Sequence, residues 1–224
     1  MITIIVPFYN EEKILCKNSI QLQALSKHAE LIFVDGGSID KSAECAKRYG
    51  CGCYSKKGRP RQMNKGASIA KGDILLFMHA DTIISPKAVS SIENCIKDGR
   101  CVGGCLRQRI DAPGKIYRFI EGFGNARAAI TKVFYGDQGM FVRRDIFLRI
   151  GGFPEVPIME DVIFSKQLKR VGKTAVLPDR IFTSPRRWDK KGVVKTSLLY
   201  SLINALFWLR FPLEKIKLLY DDLR

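Results

Sequence analysis

His79 and Asp81 stand two residues apart, directly after the unbroken apolar run 74–78. Such a run, bounded by a turn signal, reads as a strand buried on both faces, as in the middle of a parallel sheet. Open α/β sheets take their ligands at the carboxyl ends of their strands. Residues two apart on extended backbone project to one side, so His79 and Asp81 can share a target. A carboxylate there suits a hard divalent cation that also holds phosphate oxygens. The plain structural alternative is that Asp81 caps the segment starting near Pro86 and that His79 is a buried, hydrogen-bonded imidazole.

Three more groups of residues could do chemistry. The densest basic patch, residues 56–65, includes Lys56, Lys57, Arg59, Arg61 and Lys65. Pro60 fits the first turn of a helix with Met63, Ala67 and Ala70 inward and Gly72 as its stop. The amino end of that helix would add free amides and a positive dipole end to the cations, which makes a phosphate site. A solvated basic face is the alternative, and the helix's direct lead into the His79 strand favours the phosphate. Glu160 and Asp161 open a helix running to about residue 171; they are either dipole partners or a crowded pair with one member held ready as a general base. Asp35, at the tip of the short apolar strand 31–34, could accept hydrogen bonds from a ribose or base, although Asp35-Gly36-Gly37 is also good turn chemistry.

The elements that must position these groups alternate strand and helix. Residues 2–6 form a β-branched first strand ended by Pro7. Asn10 can cap a helix with Glu11 and Glu12 in its first turn, and Leu15, Leu22 and Leu25 follow at helical spacing. Asp40 can cap a helix to about residue 49, and 51–54 is a short strand. Residues 86–98 read as a helix and 101–110 as a strand broken by Gly103-Gly104. Segment 135–142 is a polar loop and strand, 151–154 a flexible loop that could close on a ligand, 174–177 a last short strand, and 186–188 a loop. Residues 198–209 are almost continuously apolar, yet shorter than the ~20 residues a spanning helix needs. Leu213, Ile216, Leu219, Tyr220 and Leu223 make an amphipathic final helix.

With 224 residues and no repeat or Pro/Ser-rich linker, the chain is long enough for one well-cored domain. Its 38 Lys+Arg against 22 Asp+Glu leave +16, which favours a polyanionic partner: nucleic acid, an acidic membrane surface, or phosphorylated substrates. Seven cysteines without a CxxC pair argue against a disulfide framework or zinc site, and for reduced thiols in the cytoplasm. No basic segment precedes the first apolar run, so no secretory signal is expected.

IIVPFYNEE, LIFVDGGSID, the strand ending in HAD, and MEDVIFSKQLKR occur in the order and spacing of family 2 glycosyltransferases. GRPRQMNKGA, YGDQGMFVRRDIF, GGFPEVPIMED and TSPRRW resemble a short single-domain bacterial and archaeal subgroup. The resemblance covers nearly all of residues 1–190 and implies a GT-A fold: α/β, a mixed, mainly parallel, Rossmann-like sheet with helices on both faces, followed by a C-terminal helical extension over 191–224. It further implies that Asp35 holds the base and ribose of a nucleotide-sugar donor, with Pro7, Tyr9 and Glu11 lining the same pocket and Asn64, Ala80 and Trp188 contacting the donor. Asp81 matches the second acid of the DxD metal motif, and His79 stands where the first is usual. A neutral imidazole is a competent ligand for Mn²⁺ and a poor one for Mg²⁺, so the implied cofactor is Mn²⁺ or Mg²⁺ on Asp81 and His79. Asp161 matches the catalytic base, with Glu160 beside it. Ser184 replaces the Gln of the QxxRW motif of processive members, so polymer synthesis is not expected.

The implied reaction is an inverting transfer of a sugar from a UDP- or GDP-sugar to a hydroxyl of a small-molecule or lipid acceptor. Arg59, Arg61 and Arg187 would stabilise the departing diphosphate, and Asp137, Gln138 and Phe153 would grip the acceptor; a hydrogen-bonded turn is the alternative for 137–138. A nucleotidyltransferase would want a Gly-rich loop after the first strand, where this chain has Pro7-Phe8-Tyr9-Asn10-Glu11-Glu12. A nucleic-acid-binding module would want a recognition pattern, and no helix-turn-helix, zinc-finger or RNP signature is visible. The apolar stretch 198–209 packs on the domain, forms a homodimer interface, or rests on an anionic inner membrane face.

Overall fold

Ile4, Val6 and Phe8 face one side of the first strand, β1 (Ile2–Phe8), and Ile5 the other. The same alternation puts Phe33 of β2 (Glu30–Asp35) with the first set, and Ile32 and Val34 with the second. Both sides are apolar because helices cover both. On one lie α1 (Glu12–Lys17), α2 (Ser19–Ser26), α3 (Ser42–Lys47) and α5 (Pro86–Lys97), contributing Leu15, Leu22, Cys45 and Ile92. On the other lie α4 (Arg59–Ile69), α7 (Arg144–Ile150) and α8 (Glu160–Val171), contributing Met63, Phe147 and Phe164.

The structure, a computed structural model, describes residues 1–221 apart from the side chains of Arg187, Lys190 and Asp221; Leu223 lies outside the described residues. Among these, eight strands form one sheet in the order β3-β2-β1-β4-β7-β6-β8-β5, with β3 (Cys51–Tyr54), β4 (Ile74–Phe77), β5 (Thr82–Ile84), β6 (Gly103–Ile110), β7 (Met140–Arg143) and β8 (Thr174–Thr183). The first four in space, β3, β2, β1 and β4, are parallel. β7 runs against β4 and β6, and β5 against β8. Three helices end the described chain: α9 (Arg186–Lys191), α10 (Val193–Trp208) and α11 (Leu213–Asp221). Ile203 and Ile216 of the last two join Ile158, Met159 and Val162 in a separate cluster at the start of α8.

Several local expectations are corrected. β1 does not stop at Pro7, which pairs in register with Val34. Ile5 accepts the Met78 amide on the β4 side, and Pro7, two residues on, faces that side beyond the last β1–β4 pair, so its missing amide breaks no ladder bond. Asn10 is no helix cap: its φ is 53°, and its Oδ1 accepts the Ile39 amide at 2.9 Å. Ser42 Oγ takes the Glu11 amide instead (2.7 Å), stitching the loop after β1 to the loop after β2. Gly103 and Gly104 do not interrupt β6; they let it approach its neighbours, and a Cβ on Gly104 would lie 1.9 Å from the Ala175 carbonyl oxygen. β8 runs for ten residues and carries Pro178 and Asp179 in the irregularity between the pairs Leu106↔Leu177 and Arg107↔Arg180. Residues 186–188 are helical rather than a loop, and 115–131 form a 17-residue helix, α6 (Lys115–Thr131).

Gln62, on the first turns of α4, closes the open end of the parallel half. Its Nε2 donates to the carbonyls of Phe8 and Val34, both at 2.8 Å, where the β1–β2 ladder runs out. Gln62 is buried, so no water can replace it cheaply. Gln62→Leu removes both of these buried bonds, although the Phe8 carbonyl keeps the Gly36 amide at 2.9 Å, and is expected to cost about 1–3 kcal/mol. Urea unfolding would measure it; a midpoint unchanged from the parent chain would show that these carbonyls find other partners.

Candidate active site

The tips of β1, β2 and β4 and the start of α8 meet along one edge of the sheet, and the polar residues there fall into two connected sets. The first surrounds Asp161, in the opening turn of α8. Its Oδ2 accepts the Gly136 amide at 2.6 Å and its Oδ1 the Val162 amide at 2.7 Å. Burial pushes the carboxyl up to about 7, with the Glu160 charge adding to it, against the pull of the Gly136 amide, Arg59 and the Val162 amide. Arg59 Nη1 lies 3.6 Å from Glu160 Oε1, and its Nη2 donates to Tyr220 Oη at 3.1 Å. Burial opposes the guanidinium's charge, but Tyr220, Glu160 and Asp161 outweigh it and hold Arg59 protonated. His79 shares this pocket with Arg59, Glu160 and Asp161 above a floor of Met63, Phe77, Met140 and Phe153. Gly136 lies close against both groups: a Cβ there would stand 2.9 Å from His79 Nε2 and 3.4 Å from Asp161 Oδ2, so a larger residue would have to push the imidazole aside.

The second set is built on an arginine that no local sequence pattern singles out. Arg186 Nη1 and Nη2 donate to the two oxygens of Glu11, each at 2.6 Å, and its Nε lies 2.9 Å from Asp81 Oδ2. Two carboxylates from the ends of β1 and β4 therefore converge on one cation. His79 and Asp81 do not lie on extended backbone: 79–82 is a turn in which the Thr82 amide and hydroxyl both donate to the His79 carbonyl. Asp35 Oδ1 accepts from the amides of Gly37 (3.1 Å) and Ser38 (2.8 Å) and from the Ser38 hydroxyl (2.7 Å), so the turn role is realised there. Ser38 Oγ also takes the Asn10 amide, one residue before Glu11.

The profile of the family described as Glycosyl transferase family 2 matches residues 3–151, which takes in β1 to β7 and the Asp35, Arg59, His79 and Asp81 positions. The chain belongs to glycosyl transferase family 2. It is 27% identical over 134 residues to glycosyltransferase GlyG of Streptococcus pneumoniae, a match covering 54% of this chain and 44% of that one, so the chain spans less than half of that relative. Its fold is that of the GT-A transferases. S. aureus TarS 1-349 in complex with UDP-GlcNAc superposes with a TM-score of 0.63 at 18% identity, over 82% of this chain and 58% of that one. Mannosyltransferase PcManGT from Pyrobaculum calidifontis, in complex with GDP-Man and Mn²⁺, gives 0.61 at 19% identity, over 81% and 56%.

The remaining expected site residues of this family 2 chain divide between cleft and scaffold. Tyr9 is partly exposed, with Lys57 Nζ 3.7 Å from its ring centre; Pro7 is held in β1. The Ala80 carbonyl accepts from Asn18 Nδ2 (3.1 Å). Asn64 spends both polar atoms on the backbone of Phe153, at 2.8 and 2.9 Å. That anchors loop 151–154, and Phe153 stacks at 4.7 Å on Phe77 and 4.6 Å on Phe164, so the expected closing loop is fixed to the core. Arg61 pairs with Glu155 at 2.8 Å. Asp137 accepts from Gln108 Nε2 (2.6 Å), while Gln138 Oε1 takes the Tyr135 amide and Arg127 Nη2. Trp188 is buried between Tyr117 and Tyr200. The side chain of Arg187 lies outside the described residues.

Tyr220 and Arg186 are the positions that sequence reasoning passed over. Tyr220 sits in an ordinary amphipathic stripe, and Arg186 lies 175 residues from Glu11. Only the neighbouring RW of the family motif pointed to that region.

Proposed function

We propose that this chain transfers a sugar from a nucleoside-diphosphate sugar to an acceptor hydroxyl with inversion, Asp161 serving as the general base. The observation that carries the reading is the Asp161 carboxyl itself. It is half-buried at the cleft, held by the Gly136 amide, and poised near neutrality where a base is most effective. In a single displacement it takes the acceptor proton while Arg59 keeps the pair Glu160 and Asp161 from a net double charge. Asp35 and Tyr9 suit the base and ribose. Asp137 and Gln138, already ordered by Gln108 and Arg127, are the acceptor-side candidates.

The donor set fits a divalent cation, with one change from the sequence expectation. Arg186 stands in as the cation between two hard carboxylates, so Asp81 and Glu11 would hold Mn²⁺ or Mg²⁺ together with donor phosphate oxygens. His79, in the Asp161 pocket, would instead face the reacting sugar. When bound, the ion would neutralise charge on the departing diphosphate. Arg186, at the same place, would serve the diphosphate as a fork of charged donors.

The test is a thermal-shift panel of UDP, GDP, CDP and dTDP, each with and without Mn²⁺, followed by transfer assays with sugars of the nucleotide that binds. One nucleotide at about a hundred times its Kd should stabilise the fold by about 2.7 kcal/mol. Chelation with EDTA should lower transfer at least tenfold, and Mn²⁺ should restore it. If none of the four shifts the transition at millimolar concentration, the donor assignment fails.

A further inference from the structure

Helix α6 carries Ile116, Phe119, Phe123 and Ile130 at positions that fall on one face. That face is bare: Phe119 is 72% exposed, Phe123 69% and Ile130 81%. On α10, Val194, Leu198 and Leu202 repeat every fourth residue, and the first two are each 66% exposed. The two helices are neighbours. Tyr117 of α6 stacks on Trp188 of α9, with ring centres 6.1 Å apart, and Trp188 on Tyr200 of α10 at 6.4 Å. The inner side of α6 is thus committed to the cluster around Trp188, and that of α10 to it and to the cluster of Ile158, Met159 and Val162, while the apolar residues opposite stay exposed. A soluble monomer rarely leaves so much large apolar surface to water.

The charges on these helices and at their ends are mostly cationic. Lys115 at the start of α6, Lys191 and Lys195 around the start of α10, and Arg210 just past its end are exposed. The only acid on α6, Glu121, is buried against Arg109 (2.7 Å) and Arg118 (3.3 Å), and α10 has none. The nearby Asp189 accepts from Tyr117 Oη. We propose that the outer faces of α6 and α10 form a docking surface for an anionic membrane, the aromatic and aliphatic side chains entering the headgroup region and the rim of lysine and arginine meeting acidic lipid. Packing two copies through this face about a two-fold axis would set each cation rim against its own kind, whereas an anionic bilayer complements it. The attachment would be peripheral, since among the described residues no helix is long and apolar enough to cross a membrane.

Co-sedimentation of the full chain with extruded vesicles tests this, using phosphatidylcholine alone or with about one-third phosphatidylglycerol. The chain should pellet with the acidic vesicles and stay in solution with the neutral ones, and added salt should weaken the binding. Phe119→Ser with Phe123→Ser should reduce the bound fraction about tenfold or more. Lys115→Glu with Lys195→Glu should do the same without touching the apolar face, which keeps the test decisive if the first variant misfolds. Neither pair touches the cleft, so nucleotide-induced thermal shifts should be unchanged in both. A parent chain that ignores acidic vesicles overturns the proposal. So does binding that survives both double variants, or a solution dimer that Phe119→Ser with Phe123→Ser dissociates.

Discussion

An Asp161→Asn chain is expected to bind its nucleotide as the parent does and to lose about 10²–10⁴-fold in turnover. The amide oxygen of asparagine can still accept the Gly136 amide that Asp161 now takes at 2.6 Å, although its amino group then faces the Val162 amide that Oδ1 now takes at 2.7 Å, so the loop is kept while the proposed proton acceptor is removed. The same substitution should stabilise the fold at alkaline pH, and the sign follows from linkage. The folded carboxyl is raised above its ordinary value of 3.8 to about 7, by burial first and by Glu160 second. Between those values the native state binds more protons than the unfolded one, so this group's contribution to stability falls as pH rises from 4 to 7 and is flat above. An asparagine side chain, which does not titrate, has no such slope. Melting both chains at pH 5 and pH 8 should therefore show a gap that opens with pH, of about 3–6 °C in favour of the variant. Undiminished turnover by the variant would remove Asp161 from the role of base, whatever the melting curves show.

The parallel half of the sheet was legible because its strands need little context. Residues 2–6, 31–34 and 74–78 are apolar runs closed by turn residues, and all became strands that helices cover on both sides. The other half was not. β6 begins on two glycines, which read as a break unless the backbone of Ala175 is known to lie against them. β8 holds a proline in mid-strand, tolerated because the pairing with β6 passes from Leu177 to Arg180 and leaves Pro178 and Asp179 out of the ladder. α6 offers no clear helical signal in the sequence, because aromatic and basic residues mix in it and Gly122 and Gly124 interrupt it: Tyr117, Glu121 and Ala128 point inward, while Phe119, Phe123 and Ile130 point out, so no polar stripe marks it. The same limit applied to the cleft. Asp35, Asp81 and Asp161 could be picked out from local patterns, whereas Arg186 closing on Glu11 and Asp81 is a contact between distant segments that no spacing encodes. Arg59 and Arg61 read alike in the basic patch, yet one is turned inward to Glu160 and the other outward to Glu155.

That difference sets the second large effect. Arg59→Met should destabilise the chain by about 3–5 kcal/mol at neutral pH, because Glu160 keeps only 6% of its side-chain exposure and would stay buried without a counter-ion. A loss of that size corresponds to about 6–20 °C in Tm for a chain of this length. Kinetics should separate this from a general loosening of the fold. Arg59 pulls the Asp161 carboxyl down, so without it the base protonates at higher pH and the acid limb of the transfer profile should move above 7. Arg59→Lys, which retains the charge but not the fork, should recover most of the limb's position and part of the stability. Tyr220→Phe removes the 3.1 Å hydrogen bond from Arg59 while keeping the ring and should cost about 0.5–1.5 kcal/mol. A merely structural Arg59 would lower Tm in the Met variant and leave the limb in place; a limb that stays at its parent position would therefore disconnect Arg59 from the base.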